Sequence, residues 1–431
     1  MRITVLALGS RGDVLPCVVL GKGLKAVGHQ VRFATFENYG PLVIAQGLDF
    51  YPIRGDVRHI LNQPEGISLA ASGRNVLRMA RSVQRMFGVM AESFARDLSD
   101  RALWDTEVII NQLPGGMYGY DLAETLGVPM IAAAVMPIAP TKHQPMLAFP
   151  SSLARLPGYN AFTHWLAYQL VWQGYRPAVS RWRQRTLGLP KAPLWGYARS
   201  MVERRVPVLN GFSAHVVPRP PDWGEHVHIT GYWFPEEEGW QPPEDLCRFI
   251  ESGPPPVFVG FGSMPMRDPE RTTTIVLDAL KQCGQRAVLG AGWGGMGQRE
   301  LPKHVHRIEY APYAWLFPRM SAVVHHGGSG TTAFGLRAGV PAVIVPFLFD
   351  QFYWGRRLAV LGVGPEPVPY RKLSAEQLSE AIAVAVTDAR MRRRAAALGD
   401  KIRAEDGVRE AVGTVQRLVP ATRAANRWRG F

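Results

Sequence analysis

A chain of 431 residues, 47% hydrophobic and 19% charged, is long enough for two packed cores, so two globular domains are expected. No run approaches 18 apolar residues, and MRITVLALGSRGD turns charged too early for a secretory leader, which argues against a spanning helix and an export signal. Net charge +14 calls for an anionic partner or reflects an arginine-rich composition. No nucleic-acid motif is visible and the basic residues are dispersed, which leaves acidic lipid or phosphorylated ligands. Cys17, Cys247 and Cys283 are too far apart for a disulfide framework or a zinc site and fit a cytoplasmic protein.

In chain order, residues 2–8 read as a β-branched strand, 9–16 (GSRGDVLP) as a turn, 14–27 as a helix ended by Gly28, and 31–35 as the next strand. This is a βαβ unit with Asp13 in the turn beyond its first strand, suited to an N-cap or to a base at the carboxyl edge. A helix follows over 39–46 and a strand over 48–53. Over 75–98, apolar residues recur every three or four positions, with Arg74, Arg78, Arg81 and Arg85 on the opposite side. That stripe fits a solvated face or an anionic membrane surface. Residues 107–111 read as a strand, 118–126 as a helix and 129–135 as a strand. A proline-rich stretch containing Met136 comes next. Residues 159–175 (YNAFTHWLAYQLVWQGY) place Phe162, Trp165, Tyr168 and Trp172 at helical spacing, either as core or as the lining of a flat apolar ligand site.

Residues 219–243, rich in proline and carrying the acidic run 236–238, read as a linker between a first domain (1–218) and a second (244–404). Residues 405–431 read as a helical tail returning to the first domain. The second domain opens on the strand VFVGFGSM (257–264), with Gly262 and Ser263 at its end. A helix over 272–283 and strands over 287–289 and 305–310 follow. Then comes SAVVHHGGSGTTAFGLRAGVPAVIVPFLFDQ (321–351), which parses as strand, glycine turn, helix from Thr332 to Ala338, strand, and the polar pair Asp350–Gln351. Gly327, Gly328 and Gly330 permit close backbone approach. Ser329, Thr331 and Thr332 add hydroxyl donors at a helix N-terminus suited to phosphate. Asp350 and Gln351 offer the acceptors and donors that sugar hydroxyls need. Two helices close the domain over 374–387 and 391–405, and a further one covers 411–418. No Asp-x-Asp pair occurs, so no metal is expected, and the His-x-His pairs at 226/228 and 304/306 fall in predicted linker and strand.

HHGGSGTTAFGLRAGVPAVIVPFLFDQFYWGRRL resembles the donor motif of the family 1 glycosyltransferases, nearest to their sterol 3β-glucosyltransferase branch. GSRGDVLP, MPIAPTK (136–142), GFSAHVVPRPPDWGEHVHITGYW (211–233), PPVFVGFGSM and GQRAVLGAGWGG (284–295) resemble that branch in the same order, with Leu15 and Ile138 departing from its usual residues. The resemblance implies an α/β protein of glycosyltransferase fold B, two Rossmann-like domains facing across a cleft. It implies an inverting, metal-independent transfer of glucose from UDP-glucose to the hydroxyl of a hydrophobic acceptor, foremost a sterol. On it, Asp13 is the base. Ser10, Arg11, Gly12, Gly262, Ser263, His325 and the turn Gly327–Thr331 serve the donor, with Tyr310–Ala311 or Trp293 against the uracil and Asp350–Gln351 on the sugar. His326 is a structural neighbour of His325. Met136, Phe162, Trp165, Tyr168 and Trp172 would line the acceptor site. Polyketide or glycolipid acceptors, a nucleotide-sugar epimerase and a non-catalytic binding module are the alternatives. The protein would be cytoplasmic, with peripheral contact to a membrane through the basic stripe.

Overall fold

The computed structural model describes residues 1–56, 94–100, 103, 105–113, 118–147, 149–236, 239–262, 264, 266, 268–292 and 295–424. Ser263, Trp293 and the arginine stripe therefore lie outside the described residues. The described residues form two compact units. The first runs from Met1 to residue 56, from residue 94 to Pro235 and on from Asp406; the second runs from Glu236 to Glu405.

The first unit is a seven-stranded sheet of β1 (Arg2–Leu6), β2 (Gln30–Phe36), β3 (Asp49–Ile53), β4 (Val108–Leu113), β5 (Met130–Ala134), β6 (Val208–Asn210) and β7 (Val227–Ile229), in the order β3-β2-β1-β4-β5-β6-β7. All neighbouring strands are parallel, with Val5 of β1 between Phe33 of β2 and Ile110 of β4. Met130–Ala134 is buried at every position, because the crossovers of a parallel sheet cover both faces. The second unit is a five-stranded parallel sheet of β8 (Val257–Gly260), β9 (Ala287–Gly290), β10 (Val305–Ile308), β11 (Ala322–His325) and β12 (Ala342–Ile344), ordered β10-β9-β8-β11-β12. Both sheets reverse strand order beside their first strand, at β1/β4 and at β8/β11. In open α/β sheets the carboxyl edge at such a switch point is where ligands bind.

Several expectations need correction. The predicted linker 219–243 is structured in its first half: Val227–Ile229 pairs with β6, and Arg219 donates to the carbonyls of Trp223, Gly224 and Val227. Three-residue strands carry too little alternation to be read from sequence. The first helix is Arg11–Ala26, so GSRGD already contains its first turn. The aromatic helix continues through Pro177 to Trp182. A helix absent from the expectations, Gln351–Leu361, begins at the polar pair itself. The terminal helix Gly407–Ala424 packs on Arg11–Ala26 so closely that a Cβ on Gly23 would lie 2.5 Å from Val408 Cγ1. None of the described helices is long and apolar enough to cross a membrane.

Candidate active site

In the second unit, β11 ends at His325 and the chain turns through Gly327 into the helix Ser329–Ala338. Thr332 N–H is the first to bond back, to Gly328 O at 2.9 Å, so the amides of Ser329, Gly330 and Thr331 have no intrahelical acceptor. Gly327 adopts φ +89°, and a Cβ there would lie 2.7 Å from Ile344 Cγ2 and 3.1 Å from Gln351 O. The glycine thus lets the phosphate-type turn lie directly against the Asp350–Gln351 turn beyond β12.

The two histidines occupy different places. His325 is fully buried, and its Nδ1 accepts from Gly327 N–H at 3.0 Å, which puts the ring proton on Nε2. That Nε2 has no partner among the described residues. Burial, with His326 beside it, holds His325 well below its ordinary pKa, so it is a neutral donor. His326 lies under the glycines of both loops: a Cβ on Gly262 would lie 3.0 Å from its Cε1, and one on Gly328 would lie 2.4 Å from its Nε2. Burial lowers its pKa to about 4. The loop beyond β9 also reaches this edge, since a Cβ on Gly292 would meet Gly262 O at 2.6 Å.

Asp350 precedes the helix Gln351–Leu361, and its Oδ2 accepts from Trp354 Nε1 at 3.1 Å. Gln351 is folded back: its Oε1 accepts from the N–H groups of Phe347 (2.8 Å) and Leu348 (3.2 Å), and its Nε2 faces Met264 Sδ at 3.2 Å. The acceptor half of that amide is therefore engaged, while the donor half meets a thioether, a weak acceptor that a hydroxyl would displace. Ala311 is buried and Tyr310 is 52% exposed, as a surface for a planar base requires. A cavity of about 700 Å³ opens at the other edge of this sheet, where Pro255, Gln285, Ser321 and Pro341 precede their strands, remote from the glycine turn.

In the first unit, Asp13 sits in the first turn of Arg11–Ala26, three positions beyond the N-cap Ser10, where its side chain closes a capping box. Its Oδ2 accepts from both the N–H and the hydroxyl of Ser10, each at 2.9 Å, and its Oδ1 faces Gln112 Nε2 at 3.5 Å. Burial pushes the Asp13 carboxyl up, and the Ser10 bonds pull it partly back. Ser10 is thereby corrected from donor ligand to holder of Asp13, since both its donors are spent on the carboxylate. Arg11 is exposed and Gly12 half-buried beside it. Burial, with Asp13 one helical turn back, pushes the Cys17 thiol up, and Cys17 is a core residue.

The aromatic helix splits. Trp172 is fully buried, its Nε1 donating to Pro193 O at 3.0 Å, and Tyr168 OH accepts from Tyr197 N–H at 2.8 Å. Trp172 is a core residue, which corrects its placement in an acceptor lining, while Tyr168 is half-buried against that core. Phe162 and Trp165 are 52% and 48% exposed, and Met136 is buried just beyond β5.

The sequence matches two family models, the glycosyltransferase family 28 N-terminal domain over residues 3–144 and the erythromycin biosynthesis protein CIII-like C-terminal domain over residues 276–418. It is 38% identical to a sterol 3-beta-glucosyltransferase of Arabidopsis thaliana, over 97% of this chain and 68% of that protein. The chain belongs to the sterol 3-beta-glucosyltransferase family. A relative of the same description in Emericella nidulans is 36% identical over 97% of this chain, which spans only 30% of that longer protein. Among solved structures it is similar to the spinosyn forosaminyltransferase SpnP (TM-score 0.68, 17% identity, 97% of this chain and 99% of that one). It is also similar to the Streptomyces glycosyltransferase SsfS6 complexed with thymidine diphosphate (TM-score 0.63, 21% identity, 97% and 99%). These likenesses show glycosyltransferase fold B.

Two residues of this glycosyltransferase, Gln112 and Phe349, were not anticipated from the sequence, and the Thr332 hydroxyl was. Gln112, 1% exposed, faces the Asp13 carboxylate; the signal was an Asn-Gln pair interrupting the apolar strand VIINQL. Thr332 is buried with its hydroxyl unpaired among the described residues, behind the glycine turn. Phe349 takes φ +46° just before Asp350, a conformation costing a bulky residue roughly 1–3 kcal/mol. No sequence signal marks that strain.

Proposed function

We propose that the protein transfers glucose from UDP-glucose, with inversion, to the 3β-hydroxyl of a membrane sterol. The observation that carries the reading is sterol 3-beta-glucosyltransferases at 33–38% identity across at least 97% of the chain, covering both units. The erythromycin-type model matches only residues 276–418, within the second unit and the terminal helix, and so does not bear on the acceptor.

In this reading the acceptor hydroxyl gives its proton to Asp13 as it attacks the anomeric carbon, opposite the departing UDP. A carboxyl raised by burial is the more effective base. The N–H groups of Ser329, Gly330 and Thr331, with His325 Nε2–H, receive the diphosphate charge in a dry site where fixed donors count most. Asp350 and the amide of Gln351 hold the sugar hydroxyls, Tyr310–Ala311 takes the uracil, and Ser263 and Trp293 complete the donor site. No metal enters the scheme, because backbone amides and a neutral imidazole carry the leaving-group charge. The enzyme would work as a peripheral protein on the cytoplasmic side of its membrane. The test is UDP release on mixing with UDP-glucose, with and without sterol, read with product mass. Sterol-dependent release and a gain of one hexose are expected; sterol-independent release with no product would reject the acceptor.

A further inference from the structure

Among the described residues twelve large hydrophobic side chains are exposed, and six of them fall in one segment: Leu153, Leu156, Phe162, Trp165, Leu194 and Trp195. The fold gathers four of them, Phe162, Trp165, Leu194 and Trp195. Phe162 and Trp165 lie a turn apart on the helix Tyr159–Trp182, with ring centroids 5.9 Å apart, and Trp165 lies 6.2 Å from Trp195. The strap carrying Leu194 and Trp195 is pinned along this helix by three side chains: Trp172 Nε1 to Pro193 O at 3.0 Å, Gln173 Nε2 to Leu194 O at 2.7 Å and Gln169 Nε2 to Trp195 O at 2.9 Å. The backbone is thus fixed so that Leu194 (52% exposed) and Trp195 (62%) face water. A contiguous apolar ridge held open by three hydrogen bonds is a contact surface, because stray apolar residues do not cluster this way.

The charge around it identifies the occupant. Residues 125–202 contain eight Lys or Arg and no Asp or Glu. Arg183 is buried on Asp121 and Glu124, but Arg155 and Lys191 are exposed beside the ridge, and Lys142 is tied to it through Asn160, whose Nδ2 donates to both Lys142 O and Ala154 O. The carboxylate found against this end, Asp222, is occupied by Thr141 Oγ1 and Lys142 N–H at 2.7 Å each. Two exposed tryptophans, a phenylalanine and a leucine rimmed by cations match the headgroup region of an anionic bilayer, where aromatic rings sit at the interface and lysine and arginine meet lipid phosphates.

We propose that this ridge docks the protein on an anionic lipid bilayer. It uses none of the arginines at 74–85, and vesicle binding stands without the sterol reading, which enters only through the turnover measurement below. The experiment is co-sedimentation of the full chain with phosphatidylcholine vesicles, with and without about a third phosphatidylglycerol, alongside glucosylation of sterol in vesicles or dispersed in detergent. Wild type should bind the anionic vesicles and lose that binding in high salt. The variant L194Q/W195Q should partition about tenfold less and turn over vesicle sterol correspondingly more slowly, with dispersed-sterol turnover unchanged. R155Q/K191Q should lose the preference for anionic vesicles. Loss of binding in L194Q/W195Q with no sterol turnover in any format would sustain the docking and sink the sterol reading. Equal sedimentation of wild type and L194Q/W195Q, or a ridge variant that changes only self-association in lipid-free solution, overturns the proposal.

Discussion

Each unit places a helix N-terminus at its own switch point, after β1 in the first and after β11 in the second, and the two are used in opposite ways. In the second unit the helix Ser329–Ala338 is capped by a glycine, and its first amides are left for an external anion. In the first unit the helix Arg11–Ala26 carries its own anion: Asp13 fills the first turn, and Ser10 grips one of its oxygens twice. A bare backbone turn invites a phosphate, whereas a turn that contains a carboxylate has its positive end neutralised and instead presents a held base. Topology supplied the position, and the residues at the turn chose the chemistry.

The contrast can be broken most severely at Asp13. D13N should lower turnover roughly a hundred- to ten-thousandfold, as loss of a general base does, while UDP affinity measured by calorimetry stays as in wild type. An equal loss of UDP affinity would mean that the first-unit turn belongs to the donor site. Next in size is a pH effect from the second unit. His326 has its pKa lowered by burial to about 4, against an ordinary value of 6.5, so the unfolded chain takes up its proton first as pH falls. The stability it contributes is complete above pH 6.5 and is lost toward pH 4 by about 1.4 kcal/mol per pH unit. Urea midpoints across this range should fall steeply in wild type and less steeply in H326Q; parallel curves would remove His326 from the acid lability.

A smaller effect tests whether the second turn needs bare backbone. G328A places a Cβ where His326 Nε2 lies 2.4 Å away, and should cost about 1–3 kcal/mol in urea denaturation together with weaker UDP binding. In an H326A background the same change should cost little, since Gly328 at φ −62° is in a conformation open to any residue; an undiminished penalty would point away from the histidine contact. Smallest is S10A, which removes one of the two bonds to Asp13 Oδ2 and should cost about 1 kcal/mol. Because the Ser10 hydroxyl pulls the Asp13 carboxyl down, the acid limb of the pH–rate profile should move to higher pH. A limb that stays put would separate Asp13 from the titrating group.

Much of this site was legible in the chain. The strand–glycine–helix pattern over 321–351 showed where the phosphate turn lies, because glycines and a helix start are local events. Asp13, placed in the turn beyond β1, occupies the switch point that the strand order later defined. Less legible were interactions between residues far apart in sequence. Gln112 reaches Asp13 across 99 positions, and Met264 meets Gln351 across 87. The spacing of Phe162, Trp165, Tyr168 and Trp172 offered one apolar stripe. Packing divided it, burying Trp172 under the strap at Pro193 and leaving Trp165 beside Trp195 in water.

By itself the sequence determined the parallel α/β architecture, the position of the glycine turn and the family, because hydrophobic period, turn chemistry and motif order are written along the chain. Only the tertiary structure decided which donors remain to be used. It spent Ser10 on Asp13 and the Gln351 oxygen on its own turn, left His325 Nε2 without a partner among the described residues, and turned half of an aromatic helix outward. A hydrogen-bond donor is committed by whatever folds next to it, and that neighbour is a property of the packed chain.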